Sequence, residues 1–175
     1  LERITRKFVD EIHDIIGPDT DIPAPDMGTD HRVMAWIMNQ YSKYHGFNPG
    51  VVTGKPVEHY GIPGREEATG RGVGILTLKL LGRLGRKPIG ARVAIQGFGA
   101  VGKHAARFLA QKGARLVAAS DTRGTLHDPT GIDVARLIAL KDTGGGVRDH
   151  PVGTKLDPDA IIDVECEIWI PAARP

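Results

Sequence analysis

Apolar residues recur at helical intervals along the first sixteen positions. Ile4, Phe8, Ile12, Ile15 and Ile16 predict an amphipathic helix over 1–16, ended by Gly17 and Pro18. The charges between them form its solvated face, and His13, set among the apolar positions, is expected to be structural. Pro23 and Pro25 stiffen the loop over 20–30, because each lacks an N–H and biases the residue before it toward extended backbone. Asp30 is placed to cap a second helix, marked by Val33, Met34, Ile37, Met38, Tyr41 and Tyr44, with Trp36 packing beside them. Residues 45–64 form a glycine- and proline-bearing connection, long enough to mark function or a passage between domains. A third helix follows within 65–85, with Val73, Leu76, Leu80 and Leu84 as its apolar stripe. Gly70, Gly72 and Gly74 would weaken that helix in isolation, so they predict close approach of another group near its start, with Thr69 lining the gap.

The pattern changes at residue 91. Val93, Ala94 and Ile95 make the short apolar run of a parallel strand buried on both faces, and the run stops at glycine. Val101, Ala105, Phe108 and Leu109 then mark a helix closed by Gly113, a residue suited to a left-handed cap. A second apolar run, 116–119, ends in Ser120 and Asp121. Residues 121–131 read as a turn-rich loop with room for a short strand, and Val134, Leu137, Ile138 and Leu140 as a helix. Loop follows over 142–152, and Ile168, Trp169 and Ile170 read as a further buried strand. The succession predicts an α/β fold whose larger part is a Rossmann-type parallel sheet.

Gly97, Gly99 and Gly102 fall in GxGxxG spacing between the first strand and its helix. The first allows a tight turn, the second lets backbone approach a pyrophosphate, and the third lets helix pack on strand; the helix N-terminus then faces the anion. Asp121 lies about twenty residues beyond, where a carboxylate accepts hydrogen bonds from an adenosine ribose. Glycines serving packing alone, or a flavin or S-adenosylmethionine site, remain alternatives. Asp26, at the centre of the stiff loop, reads on composition as a turn former or cap, and Lys55 and Arg65 as surface charges.

Composition narrows the classes. With 41% hydrophobic and 25% charged residues and a net charge of +2, the chain lacks the basic excess of a nucleic-acid binder. No apolar run approaches a membrane span. Cys166 is the only cysteine, so no disulfide framework exists; a buried inert thiol and a reducing cytoplasm are expected. Aspartates and histidines are scattered without ligand spacing, and no metal site is expected.

DIPAPDMGT, MAWIMNQYS, VVTGKP, REEATGRGV and VAIQGFGAVG occur in that order, and the chain resembles the glutamate, leucine, phenylalanine and valine dehydrogenases end to end. GFG, VVTGKP and REEATGRGV resemble the glutamate branch. The resemblance implies two domains around a cleft: 1–44 as the end of an α/β substrate domain, 45–64 as the connection, and 65–175 as a Rossmann-type domain incomplete at its C-terminus. It implies reversible oxidative deamination of L-glutamate to 2-oxoglutarate and ammonia by a cytoplasmic homo-oligomer, a hexamer. Asp26 matches the family's catalytic aspartate, Thr53 and Arg65 its substrate-cleft residues, and Thr69 the threonine beside the nicotinamide amide. Gly97, Phe98, Gly99, Ala100, Val101 and Gly102 match its cofactor turn, with Ala100 where many members carry asparagine. NAD is the expected cofactor, since Asp121 would repel the 2′-phosphate of NADP, although Arg123 offers that phosphate a partner. The family's catalytic lysine would lie upstream of Leu1 and a substrate-binding serine downstream of Pro175, so a fragment inactive alone is expected. A leucine, valine or phenylalanine dehydrogenase, or a non-catalytic dinucleotide-binding module, are the rival readings.

Overall fold

In the computed structural model, which describes residues 1–173, the chain divides into two compact units, Leu1–Glu66 and Glu67–Pro175. The first is built on α1 (Glu2–Ile12) and α2 (His31–His45). Asp30 caps α2 as its sequence position predicts, accepting the N–H groups of Arg32 at 2.9 Å and Val33 at 3.1 Å. Val9, Ile16, Val33, Met34, Ile37, Met38, Tyr41, Val51 and Val52 form the core of this unit, with Trp36 packed against it. Val51 and Val52 are fully buried there, and the whole 45–64 stretch falls within the first unit.

Helix α1 departs from the sequence expectation in length and facing. It ends at Ile12 rather than Ile16, and Ile16 instead bridges to Asp21. Its buried residues are Thr5 and Val9, whereas Ile4 and Phe8 are 69% and 56% exposed. Polar tethers set this facing: Arg6 donates to Asn39 at 2.8 Å, and Asp10 accepts from Tyr44 at 2.8 Å and from Gln40. Tyr44, held by its hydroxyl, stays half exposed instead of joining the core.

The second unit holds α3 (Ala68–Arg83), β1 (Arg92–Gln96), α4 (Ala100–Ala110), β2 (Arg115–Asp121), β3 (Gly124–His127), α5 (Val134–Asp142), β4 (Thr154–Leu156) and β5 (Ile168–Pro171). The strands form one sheet in the order β4-β3-β2-β1-β5. β2, β1 and β5 are parallel, as expected, but β3 and β4 add an antiparallel edge, so the sheet is mixed. β1 is buried between two strands; β5 lies at an edge, which leaves Trp169 48% exposed rather than buried as its apolar run suggests. Gly113, at φ 85°, ends the α4 region as predicted.

On α3 the packed face is Gly70, Gly74 and Leu81 with Val73 and Leu78, while Leu76, Leu80 and Leu84 are exposed. The expected stripe is thus displaced, because two of the true contact positions are glycines. A Cβ on Gly70 would lie 2.6 Å from His104 Cβ and from the Val101 carbonyl oxygen, and one on Gly74 would lie 3.2 Å from Phe108 Cβ. α3 and α4 therefore meet almost backbone to backbone. Gly72 has no neighbour within 4 Å of such a Cβ, so the expected close approach holds for Gly70 and Gly74 and fails there. Glu67, just before α3, fastens the same contact by accepting from Arg71 at 3.2 Å and from Arg107 of α4. Hydrogen bonds from Arg71, opposed by burial and supported by Arg107, hold its carboxyl below the ordinary range.

Candidate functional site

In the first unit, Asp26 opens a tight turn. Its N–H donates to Thr29 Oγ1 at 2.8 Å, that hydroxyl returns a bond to the Asp26 carbonyl at 2.8 Å, and Gly28 takes φ 77°. One carboxylate oxygen accepts the Met27 N–H at 2.8 Å; the other has no hydrogen-bond partner among the described residues. The side chain is exposed. Its carboxylate is thus oriented by backbone while one oxygen is open to an incoming proton donor, which general acid/base work requires.

The VVTGKP segment is fastened to this loop. Thr53 N–H donates to the Pro23 carbonyl at 3.0 Å, and Gly54, at φ 67°, lies so close to Pro25 that a Cβ would meet its ring at 2.6 Å. Thr53 and the loop of Asp26 are therefore brought together. Lys55 turns inward and donates to the Val52 carbonyl, and its burial lowers the amine pKa. Arg65 is exposed with no side-chain bond to Asp26 or Thr53 among the described residues, and its guanidinium is open to an external carboxylate.

The three spaced glycines of the second unit have three distinct reasons. Gly97 takes φ 91°, and a Cβ there would strike the backbone of Ala172 and Ala173 at 2.5–2.7 Å. Gly102 backs onto the Gly97 carbonyl, which a Cβ would approach to 2.1 Å. Gly99 has nothing within 4 Å of its Cβ position, so the space before the helix is open. No side chain caps α4, and its first intrahelical bond is from Lys103 N–H to the Gly99 carbonyl at 2.9 Å. The N–H groups of Ala100, Val101 and Gly102 consequently face outward without intrahelical partners, a fit for a pyrophosphate. The chain leaves β1 toward β2 on one side and returns with β5 on the other, so this turn opens at the switch point where open α/β sheets bind ligands.

Phe98 differs from the other turn residues: it is 1% exposed and its N–H donates to the Ser120 carbonyl at 2.8 Å, so it locks the turn from inside the core. Thr69 is exposed on the first turn of α3, beside the Gly70 that rests on Val101, and so belongs to the neighbourhood of the α4 start.

Asp121 ends β2 under heavy internal engagement. Oδ1 accepts the Arg123 N–H at 2.8 Å, while Oδ2 accepts the Val147 N–H at 2.9 Å and the Lys141 ammonium at 2.7 Å. Burial pushes its pKa up, but the bonds from Lys141, Val147 and Arg123 outweigh it and hold the carboxyl below its ordinary value. Lys141 is a neighbour that sequence reading missed, twenty residues away on α5, with no spacing signal to reveal it. Arg123 reaches Asp149 at 3.5 Å and remains largely exposed.

The family model described as Glutamate/Leucine/Phenylalanine/Valine dehydrogenase matches residues 61–175, and that of the Glu/Leu/Phe/Val dehydrogenase dimerisation domain matches residues 1–43. Glutamate dehydrogenase A2 of Halobacterium salinarum is 47% identical over 174 residues, covering 99% of this chain and 42% of that protein. Among solved structures, a hetero-hexameric glutamate dehydrogenase from Thermus thermophilus, in a leucine-bound form, matches with TM-score 0.89 and 40% identity over 99% of this chain and 41% of that one. A Plasmodium falciparum glutamate dehydrogenase matches with TM-score 0.90 and 27% identity over 97% of this chain and 38% of that one. The chain thus spans about two fifths of the length of these relatives, and the matches run through both units: it belongs to the glutamate/leucine/phenylalanine/valine dehydrogenase family.

Proposed function

We propose that this chain is the part of a nicotinamide-dependent glutamate dehydrogenase that carries its proton-transfer aspartate and its dinucleotide turn. The reaction is L-glutamate, water and NAD(P)⁺ going reversibly to 2-oxoglutarate, ammonium, NAD(P)H and a proton. The 47% identity to a glutamate dehydrogenase, across both units, is the observation that carries this reading.

The nicotinamide cofactor supplies the hydride acceptor. The N–H groups of Ala100, Val101 and Gly102 hold pyrophosphate, Thr69 meets the carboxamide, and Asp121 meets the adenosine ribose. On the substrate side, Arg65 and Thr53 hold the amino acid, and Asp26 moves protons at its free oxygen between the substrate nitrogen and water. NAD is the favoured cofactor and NADP is tolerated. Asp121 has about four lone-pair sites, three already taken, and Lys141 cancels its charge, so repulsion of a 2′-phosphate is muted. Assembly is a hexamer, in line with the hetero-hexameric Thermus relative.

The test is turnover by the enzyme containing this chain, with L-glutamate, L-leucine, L-valine and L-phenylalanine, each with NAD and NADP. Highest kcat/KM on glutamate is expected. Equal or better turnover of leucine would move the enzyme to another branch, and dinucleotide binding without turnover of any of the four would make it a non-catalytic module.

A further inference from the structure

We propose that His13, Asp14 and His45 form a divalent-cation site, best matched to zinc, that staples the ends of α1 and α2. The two helices run side by side in the same direction: Arg6 contacts Asn39 and Asp10 contacts Tyr44. Their C-terminal ends therefore coincide, and residues 32 apart in sequence meet. His13 Nδ1 lies 3.0 Å from His45 Nε2 and 3.1 Å from Asp14 Oδ1, and the last two atoms are 3.7 Å apart. A tetrahedral zinc ion with bonds of about 2.0–2.1 Å holds its ligand atoms about 3.3 Å apart. The three observed separations bracket that edge.

Hydrogen bonding alone serves this arrangement poorly. His13 Nδ1 faces both His45 Nε2 and Asp14 Oδ1: as a donor its one N–H is shared between them, and as an acceptor from His45 it turns a lone pair toward the carboxylate. A cation accepts a lone pair from all three. Two imidazoles and a carboxylate are the donor set that zinc takes, and the 80% exposure of the Asp14 side chain leaves room for water as a fourth ligand.

Both rings are held in place from behind. Tyr44 stacks on His13 with centroids 3.9 Å apart and planes 6° from parallel, and its hydroxyl is fixed by Asp10. Tyr41, buried in the core, stacks on His45 at 4.5 Å. Such support orders the ligands before the ion arrives, so less freedom is lost on binding. The site also closes the helical frame from which the Asp26 loop departs, since Asp14 begins and Asp30 ends that excursion.

The chain, stripped with EDTA, would be titrated with Zn²⁺ calorimetrically and with Co²⁺ by visible absorption. One ion per chain is expected, with a four-coordinate cobalt spectrum and a higher thermal midpoint for the first unit, followed by Trp36 fluorescence in a Trp169→Phe background. Asp14→Asn and His45→Gln should each weaken binding at least tenfold, and His31→Gln, away from the cluster, should leave it unchanged. Asp14→Asn alters a side chain at the surface, so a matching circular dichroism spectrum keeps the comparison valid should His45→Gln misfold. Absence of saturable one-to-one binding, or affinity undiminished in Asp14→Asn, would overturn the proposal.

Discussion

Replacing Gly70 by alanine tests how α4 is seated on α3, because Gly72, two residues away on α3, provides a control of opposite sign. A Cβ at position 70 would sit 2.6 Å from His104 Cβ and the Val101 oxygen and 2.9 Å from the Ala105 nitrogen, where ordinary contact begins at 3.4 Å. The two helices must part by about 0.8 Å, since every atom struck is backbone or Cβ. Overpacking of this kind costs about 1–3 kcal/mol, of which alanine's helix propensity returns up to about 1 kcal/mol. The net loss is about 0–2 kcal/mol. At Gly72 nothing lies within 4 Å, so only the propensity remains and alanine stabilises by about 0.8–1 kcal/mol. The propensity gain is common to both, so the variants should differ by the overpacking cost, about 1–3 kcal/mol. Urea unfolding followed by Trp169 in a Trp36→Phe background reports the second unit alone, as the chain has two tryptophans, one in each unit. Thermal midpoints should differ by about 4–8 °C per kcal/mol for a unit of this size. On the proposed cofactor placement, dinucleotide affinity should fall in Gly70→Ala, because Val101 lies in the first turn of α4, and stay level in Gly72→Ala. Equal midpoints for the two variants, or a stabilised Gly70→Ala, would refute the argument.

In the enzyme containing this chain, Asp26→Asn should keep fold and cofactor binding while lowering kcat by about 10²–10⁴, measured at saturating glutamate; near-normal turnover returns Asp26 to a turn former. Lys141→Met uncovers the charge of Asp121 and should raise the ratio of kcat/KM for NAD over NADP by about tenfold; an unchanged ratio removes Asp121 from the ribose site. Acid should destabilise the second unit through Glu167, whose carboxyl Arg92 pulls from 4.5 to about 2, first through its guanidinium and then its N–H. Because the folded value is the depressed one, this stability is complete above about pH 5 and is lost as pH falls toward 2; midpoints of Glu167→Gln should decline less steeply across that window.

Features governed by local sterics were legible in the residues. Gly97, Gly99 and Gly102 declare their spacing because each answers to a different close neighbour or to open space, and Asp30 caps α2 with its own side chain. Facing was harder to read. On α3 the contact positions Gly70 and Gly74 carry no apolar side chain, so periodicity follows the exposed leucines; on α1 a threonine packs inward while Ile4 and Phe8 do not. Partnerships across the chain left no local trace either. Lys141 reaches Asp121 from the next helix, and His13 meets His45 only because two helices align. The short strand β4, TKL, has too few residues for alternation to mark it.

Ser120 gives the second unit a fixed gauge. Its carbonyl takes the N–H groups of both Gly97 and Phe98, at 3.0 and 2.8 Å, and the very next residue is Asp121. One peptide therefore sets the span between the glycine turn and Asp121, the two ends proposed to meet pyrophosphate and ribose. Redesign at either end pulls on the other: substitutions in the glycine turn and at position 121 should combine non-additively, as neighbours sharing a backbone link do. Retooling cofactor choice here means exchanging the stretch from Gly97 to Asp121 as a single cassette.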